Sequence, residues 1–294
     1  MDLYHASLNL WVLLRYVELF PDKRLNVLKS FGILNNEMML FLKKHRDKIN
    51  GLIFDSGTWT LNKAKNVDVK SLNLNTYKDY LLTFFHYFDW YFNFDSCFTD
   101  DGFEKNSFNQ IMLEDSGLRP APVIHNIYDD EISFYIDQGY TRIALGSSQI
   151  RTIDHMVHVM RRFEGTGVML HLFGNASPQY IFNFPIYSCD TAMWAKTGGY
   201  GFIKYWNPKK DIDNKTDKIY LEEYYGGHGK DKSLIKFSDY EFKDDLETYW
   251  SDLFGLEYYD LIGHDGAYNK MLVNTHYYVE LENAANRIHQ AKGI

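Results

Sequence analysis

The sequence predicts an α/β fold, a (β/α)8 TIM barrel that forms one domain over residues 1–294. About eight short apolar runs recur along the chain, and segments with helical spacing of apolar residues lie between them. This alternation of strand and helix favours a parallel sheet. The length of 294 residues is sufficient for a single barrel of this kind.

The predicted strands are rich in β-branched and aromatic residues, and most end at a polar residue or a glycine. In chain order they are Val27–Phe31, Gly51–Asp55, Trp90–Asp95, Ala121–His125, Arg142–Gly146, Val168–Leu172, Ile186–Asp190 and Gly201–Tyr205. The predicted helices are Glu37–Lys48, Thr76–Tyr87, Asp129–Gln138, Thr152–Phe163 and Pro178–Phe182. We expect the polar residues at the strand ends to share one rim, where barrel enzymes place their functional groups.

The pattern changes after Tyr205. Residues 206–265 mix charged, aromatic and glycine-rich segments, including Gly226–Gly229. We interpret this region as an insertion or a carboxyl-terminal elaboration of the barrel. Helical periodicity returns between Tyr268 and Ile288.

Composition limits the classes of function. The 39 Asp and Glu residues outnumber the 31 Lys and Arg residues, and the net charge of −8 argues against a protein that coats nucleic acid non-specifically. The two cysteines, Cys97 and Cys189, are too few for a disulfide framework or a multi-cysteine zinc site. Leu8–Leu14 lacks the basic leader and cleavage site of a secretory signal, and no apolar run approaches about 20 residues. We therefore expect a cytoplasmic protein with no membrane partner, no metal and no cofactor.

The strongest local feature is Asp55-Ser56-Gly57-Thr58-Trp59 directly after an apolar strand. A carboxylate followed by small residues allows backbone N–H groups to approach a ligand closely. An Asx turn or a helix cap is the simpler interpretation of the same residues. Asp190 ends another predicted strand, and two such carboxylates form a common pair for glycosidic chemistry.

Four segments together resemble the tRNA-guanine transglycosylase superfamily, and most closely its short, often phage-encoded relatives that insert 7-deazaguanines into DNA. They are Leu52–Gly57, Phe94–Cys97, Ile143–Ser147, and His171–Pro178 followed by Ser188–Thr191. They are similar, in order, to the family's Asp-Ser-Gly strand, its base-reading Asp segment, its Gly-Gly turn, and its His-Leu-x-Gly…Pro segment with the nucleophilic Asp strand after it. They follow one another in the family's order within roughly residues 27–205 of the chain.

The resemblance implies a base-exchange reaction with a role for each matching residue. Asp190 would be the nucleophile that forms a covalent glycosyl-enzyme, and Asp55 would transfer protons. Asp95 would accept hydrogen bonds from the guanine ring in bidentate fashion. The remaining substrate-binding residues would be Ser56, Trp59, Gly146, Ser147, Phe173, Gly174 and His125. Among them, Trp59 and Phe173 would stack on the base, and the incoming base would be a free 7-deazaguanine of the preQ0 kind.

The sequence also departs from the family pattern. The tRNA enzymes hold zinc with three cysteines and a histidine near the carboxyl terminus, and no cysteine follows Cys189 here. This difference favours DNA over tRNA as the polymer. Pro122–Asn126 occupies the strand of the family's glutamine contact, with His125 in its place. Ser147 stands where many members have a second glycine.

Two further features have a structural and a functional interpretation. Lys204, Lys209 and Lys210, with aromatic residues between them, form the best candidate surface for nucleic acid, and a solvated loop is the alternative. His171 lies in an apolar run, which is more typical of a satisfied core histidine than of a ligand.

The residues leave other functions open. A hydrolase of N-glycosidic or O-glycosidic bonds could use the same carboxylate pair, and a catalytically silent barrel could bind nucleic acid. A tRNA substrate, a homodimer and a partner protein that supplies positive charge also remain open.

Overall fold

The computed structural model describes residues 1–33, 36–59, 72–98, 102–146, 150–212, 215–221 and 234–294. The chain divides into two compact units. The first contains Met1–Ser7 and Leu25–Thr191, together with Ile294. The second contains Leu8–Arg24 and Ala192–Gly293. Each unit is described by itself.

The first unit is built on a parallel sheet of eight strands. The strands are β1 (Asp2–Ala6), β2 (Leu25–Ser30), β3 (Ile49–Asp55), β4 (Trp90–Tyr91), β5 (Val123–Ile124), β6 (Arg142–Leu145), β7 (Met169–Leu172) and β8 (Ser188–Thr191). Their order in the sheet is β4-β3-β2-β1-β8-β7-β6-β5. The predicted α/β fold with a parallel sheet is therefore confirmed.

The sheet is curled, so its two edge strands approach each other. Strands β4 and β5 form no ladder with each other. Instead, Phe92, directly after β4, and Ala121, shortly before β5, form a single parallel bridge. The Asn93 N–H donates to Ala121 O over 2.9 Å, and the Ala121 N–H donates to Tyr91 O over 2.8 Å. The arrangement is TIM-like, with one bridge rather than a full ladder where a closed barrel would have its last pair of strands.

Helices follow most of these strands in the chain. In the first unit they are Asn36–Lys44, Leu74–Phe84, Gly102–Glu114, Glu131–Asp137, Ile153–Phe163 and Pro178–Ile181. Local sequence explains several of their ends. Asn73 and Thr76 form a reciprocal capping box before Leu74–Phe84, Thr152 caps Ile153–Phe163, and Pro178 occupies the first helical position of its helix.

The predicted strand Gly201–Tyr205 was placed in the wrong sheet. Strand β9 (Phe202–Trp206) pairs antiparallel with β10 (Thr216–Tyr220), and β10 pairs with β11 (Leu234–Lys236) in a separate three-stranded sheet. The polar segment after Trp206 returns the chain beside β9, so the ladder of β9 is formed locally. The eighth parallel strand is instead β1, which pairs with both β8 and β2.

The second unit packs around its longest helix. Its helices are Leu10–Leu19, Met193–Gly199, Lys243–Phe254, Tyr258–Ile262 and Gly266–Lys292. The last confirms the helix predicted near residues 268–288, and it packs on Met193–Gly199 and on β9. Gly198 allows this close approach, because a Cβ atom there would lie 2.9 Å from Met271 Cγ. The prediction that residues 206–265 are an elaboration of one domain stays a prediction, and Gly226–Gly229 lies outside the described residues.

A buried side-chain hydrogen bond adds to the backbone bonds where the sheet edges meet. Tyr77 is fully buried, and its hydroxyl donates to Phe92 O over 2.7 Å at the bridge. We expect Tyr77→Phe to lower the free energy of unfolding by about 1–3 kcal/mol, because it leaves a buried carbonyl without its donor. Urea denaturation measures the change. Tyr259→Phe is the control because Tyr259 is 76% exposed, and equal stability of the two variants would contradict the prediction.

Candidate active site at the carboxyl ends of the strands

Three carboxylates converge at the carboxyl ends of the parallel strands. Asp55 is the last residue of β3 and pairs in register with Ser30 of β2. Asp190 lies in β8 and pairs in register with Tyr4 of β1. Asp95 follows β4, and the charges of Asp95 and Asp190 both act on Asp55. The sheet therefore brings together the three aspartates that the sequence analysis selected.

Asp190 is buried and is held through only one of its oxygens. Oδ1 accepts hydrogen bonds from the Gly174 N–H over 2.8 Å and from His171 Nε2 over 3.3 Å. Within the described part of the chain, no hydrogen bond reaches Oδ2. Gly174 has a φ of +62°, the left-handed conformation that glycine adopts without strain. The carboxylate is thus fixed in orientation with one oxygen available to react.

Asp55 has a different environment. Its Oδ2 accepts hydrogen bonds from the Gly57 N–H over 3.1 Å and from Ser30 Oγ over 3.2 Å. Its pKa is raised from 3.8 to about 7, first by burial and next by the negative charge of Asp95. Asp190 raises this pKa further, and the hydrogen bonds from Gly57 and Ser30 partly oppose the shift. A carboxyl with this pKa can both donate and accept a proton near neutral pH.

Asp95 is the most fully hydrogen-bonded of the three. Its Oδ1 accepts from Ser56 Oγ and from Thr58 Oγ1, each over 3.0 Å, and Oδ2 lies 3.0 Å from His125 Nε2. A carboxylate has about four acceptor positions, so one remains, on Oδ2. The expected bidentate contact with a base would therefore require one of the present donors to leave, whereas a single contact through Oδ2 would not.

Contacts to its backbone and to its ring hold His125 in place. Its N–H donates to Glu131 Oε2 over 3.0 Å, Nε2 faces Asp95, and Phe98 contacts the ring edge-on at 4.9 Å between centroids. A Cβ atom on Gly146 would lie 3.2 Å from His125 Nδ1, so glycine keeps this position open. The Gly146 N–H donates to Ile124 O over 2.9 Å. That bond leaves the Gly146 carbonyl, rather than its N–H, as the group to offer a base, while Ser147 lies outside the described residues.

The predicted aromatic residues are present at the same end of the sheet. Trp59 is 45% exposed and lies edge-on to Phe98, with centroids 5.7 Å apart. Phe173 is partly buried and contacts Phe92 at 4.5 Å and His171 at 4.8 Å. Trp59 follows β3, the strand of Asp55, and Phe173 follows β7, the strand of His171, which contacts Asp190. Both positions suit aromatic groups that stack on a base beside the carboxylates.

The predicted lysine surface is engaged within the second unit. Lys204 Nζ donates to Tyr278 Oη over 2.7 Å, and burial lowers the pKa of Lys204 to about 8. Lys209 Nζ is 2.7 Å from Asp245, and Lys210 Nζ is 2.5 Å from Asp217. Lys209 is the most accessible of these side chains, at 56% exposed, so its ion pair is weak enough to exchange for a phosphate. Lys204 is the least suited to that role.

Several residues that shape the site were not selected from the sequence. Ser30, Thr58 and Ser188 are short hydroxyl residues at strand ends, Glu131 begins a helix, and His171 was interpreted as a core histidine. His171 is indeed fully buried, but it also contacts Asp190. Its position is a signal in the sequence, because His171 lies near the carboxyl end of β7, where site residues are expected.

The described residues contain no group of three or more His, Cys, Asp or Glu side chains placed to hold a metal ion. None of their helices combines the length and apolar character needed to cross a membrane.

The raised pKa of Asp55 predicts a pH-dependent stability. Its folded pKa of about 7 exceeds the ordinary aspartate value of 3.8, so the folded protein binds the proton more tightly than the unfolded chain. This stabilisation is lost as pH rises from about 4 to about 7. Asn cannot ionise, so Asp55→Asn should become more stable relative to the wild type over that interval. The difference should grow by at most about 1.4 kcal/mol per pH unit. Urea denaturation of both proteins at pH 5 and pH 8 tests this, and a difference that does not change with pH would contradict it.

No family model matches this chain, and no curated protein matches it significantly.

Proposed function

We propose that this protein is a nucleic-acid base transglycosylase that exchanges guanine for a 7-deazaguanine in DNA through a covalent intermediate on Asp190. The observation that carries the proposal is a pair of neighbouring carboxyl groups suited to two roles. Asp190 is oriented by two donors on Oδ1 and has Oδ2 open, and the pKa of Asp55 is raised to about 7. Such a pair provides one nucleophile and one proton carrier.

The reaction proceeds in two displacements. Asp190 Oδ2 attacks the anomeric carbon of the deoxyribose, and the bond between that carbon and guanine N9 breaks with its electron pair moving to guanine. Asp55 donates a proton to the departing base, so guanine leaves as a neutral molecule. The products of this step are free guanine and a glycosyl ester on Asp190.

The second displacement reverses the first with a different base. The Asp55 carboxylate accepts the N9 proton of the incoming 7-deazaguanine, and N9 attacks the anomeric carbon. The ester bond breaks, Asp190 regains its negative charge, and Asp55 is protonated again for the next cycle. Two inversions give net retention of configuration at the sugar.

The residues around the carboxylates fit a planar base. Asp95 has one open acceptor on Oδ2 for a ring N–H, and Ser56 and Thr58 hold the other oxygen in place. Trp59 and Phe173 supply aromatic faces, and stacking on such a face is worth about 1–3 kcal/mol per base. The target nucleotide has to leave its stack to reach the strand ends, at a cost of a few kcal/mol.

DNA is the favoured polymer because the sequence, with two cysteines in all, cannot form the three-cysteine zinc site of the tRNA enzymes that it resembles. The proposed frame is a (β/α)8 barrel with the carboxyl-terminal region as its elaboration. We infer a cytoplasmic location, a free 7-deazaguanine as second substrate, and Lys209 as the best placed of the three lysines for a phosphate contact.

The covalent step predicts the effect of Asp190→Asn. This variant keeps an acceptor for Gly174 and His171 but replaces the attacking oxygen by an amide nitrogen. We expect base exchange to fall by at least about 1,000-fold, as for other removed nucleophiles. The measurement is mass spectrometry of nucleosides from DNA and from tRNA, each incubated with 7-cyano-7-deazaguanine and the protein. Asp252→Asn, at an exposed helix position, is the matched control.

The same assay separates the alternatives. A deazaguanine deoxynucleoside that is lost with Asp190→Asn supports the proposal, whereas incorporation only into tRNA would reverse the choice of polymer. Release of free guanine without incorporation would indicate a hydrolase. Full activity of Asp190→Asn would refute the covalent mechanism, and the absence of any reaction would leave a barrel that only binds.

Base recognition predicts the effect of Asp95→Asn. The amide nitrogen would replace Oδ2, the acceptor that faces the base, by a donor, while Oδ1 still accepts from Ser56 and Thr58. We expect kcat/KM for exchange to fall by about 10- to 100-fold, the range for a lost hydrogen bond to a charged group. Steady-state kinetics with varied base concentration measure it, again with Asp252→Asn as control. An unchanged kcat/KM would show that Asp95 does not read the base.

A further inference from the structure

We propose that His171, oriented by Ser188, is a positioning residue that holds Asp190 and stabilises the charge that Asp190 regains when its glycosyl ester breaks. This inference rests on the proposed function. It assigns a role in the reaction to a histidine whose sequence context indicates only a core residue.

The first observation is the environment of the ring. His171 is 0% exposed and is surrounded by aromatic rings, with centroids 4.8 Å away at Phe173, 5.1 Å at Phe92 and 5.4 Å at Trp90. Burying a polar ring in such surroundings is unfavourable unless its nitrogens are hydrogen-bonded. A leucine would pack there without that cost, so packing alone does not call for histidine.

The second observation is that both ring nitrogens have partners. Nδ1 lies 2.9 Å from Ser188 Oγ, and Nε2 lies 3.3 Å from Asp190 Oδ1. An ionised carboxylate only accepts hydrogen bonds, so Nε2 carries the ring proton and donates it. Nδ1 then accepts a hydrogen bond from the Ser188 hydroxyl. The carboxylate thus selects the tautomer with a donor facing Asp190, and the Ser188 hydroxyl satisfies the other ring nitrogen and orients the ring.

The third observation is the position of the donors on Asp190. The His171 ring and the Gly174 N–H both donate to Oδ1, and Oδ2, the other oxygen of the carboxylate, is open. When Oδ2 forms the ester bond, Oδ1 becomes a carbonyl oxygen. When the incoming base attacks and the ester bond breaks, its electron pair returns to the carboxylate, and charge develops again on Oδ1. Donors already aimed at that oxygen stabilise the developing charge, as in an oxyanion hole.

Two substitutions at His171 separate this role from packing. His171→Leu removes the donor, and His171→Gln places an amide N–H near the position of Nε2. We expect His171→Leu to lower kcat by about 10- to 100-fold, with the KM for the incoming base nearly unchanged. The reason is that the lost hydrogen bond acts on a charged group after that base has bound. His171→Gln should restore most of kcat. Thermal denaturation of each variant confirms that it is folded.

The covalent intermediate supplies a second readout. Slower ester breakdown in His171→Leu should raise the fraction of protein that carries the glycosyl adduct at steady state, measured by mass spectrometry of acid-quenched protein. Ser188→Ala should lower kcat by a smaller factor, because the ring keeps its donor to Asp190 but loses the hydrogen bond that orients it. Nitrogen-15 NMR of the histidine rings should show protonated Nε2 and unprotonated Nδ1 for His171 in the wild type.

The outcomes distinguish this inference from the proposed function. If the wild type exchanges bases and His171→Leu keeps its kcat, or if Gln and Leu at this position are equally impaired while folded, the positioning role is wrong and the transglycosylase remains. If the wild type exchanges no base in either polymer, the proposed function fails, and the positioning role fails with it even when NMR finds the expected tautomer.

Discussion

The close approach of three carboxyl groups in a partly buried site is the constraint on which this structure depends. Negative charges that are near each other and removed from water repel strongly, so each must be hydrogen-bonded, paired or protonated. Asp95 is satisfied by two hydroxyls and His125, and Asp190 by a backbone N–H and His171. Asp55 accepts from the Gly57 N–H and from Ser30, but burial and the charge of Asp95 still raise its pKa to about 7. The three carboxyl groups therefore differ in their donors and in the charges around them.

The donors reach the site only because the sheet places them there. Strand β1 lies between β8 and β2, so it joins the strand of Asp190 to the strands of Ser30 and Asp55. Paired residues in parallel strands direct their side chains to the same face, which explains why Ser30 bonds Asp55 and why Ser188 bonds His171. The bridge between Phe92 and Ala121 similarly brings the segment of Asp95 to that of His125. Each of these contacts is thus a consequence of how the strands pair.

The sequence predicts seven of these eight strands because they are apolar runs that end in polar residues, the signature of strands covered on both faces. It misses β1, a five-residue strand in which Asp2 and His5 interrupt the apolar residues. It also misses the helix Gly102–Glu114, because its inner face is polar. There Asn109 donates to Phe94 O and Gln110 to Pro120 O, each over 2.7 Å. Buried amides that bond backbone carbonyls leave no apolar period to detect.

The site shows a different limit of sequence reasoning. Residue type and strand position are sufficient to select Asp55, Asp95 and Asp190, but not to state which atom of each is free. Gly174 illustrates the difference: the resemblance implies that it binds the substrate, and in the structure its N–H donates to Asp190. The three aspartates differ in which oxygen accepts hydrogen bonds and in which donors supply them. Those donors come from segments far apart in the chain, such as Ser30 for Asp55 and His125 for Asp95. Only the fold therefore determines which carboxylate oxygen remains free to react.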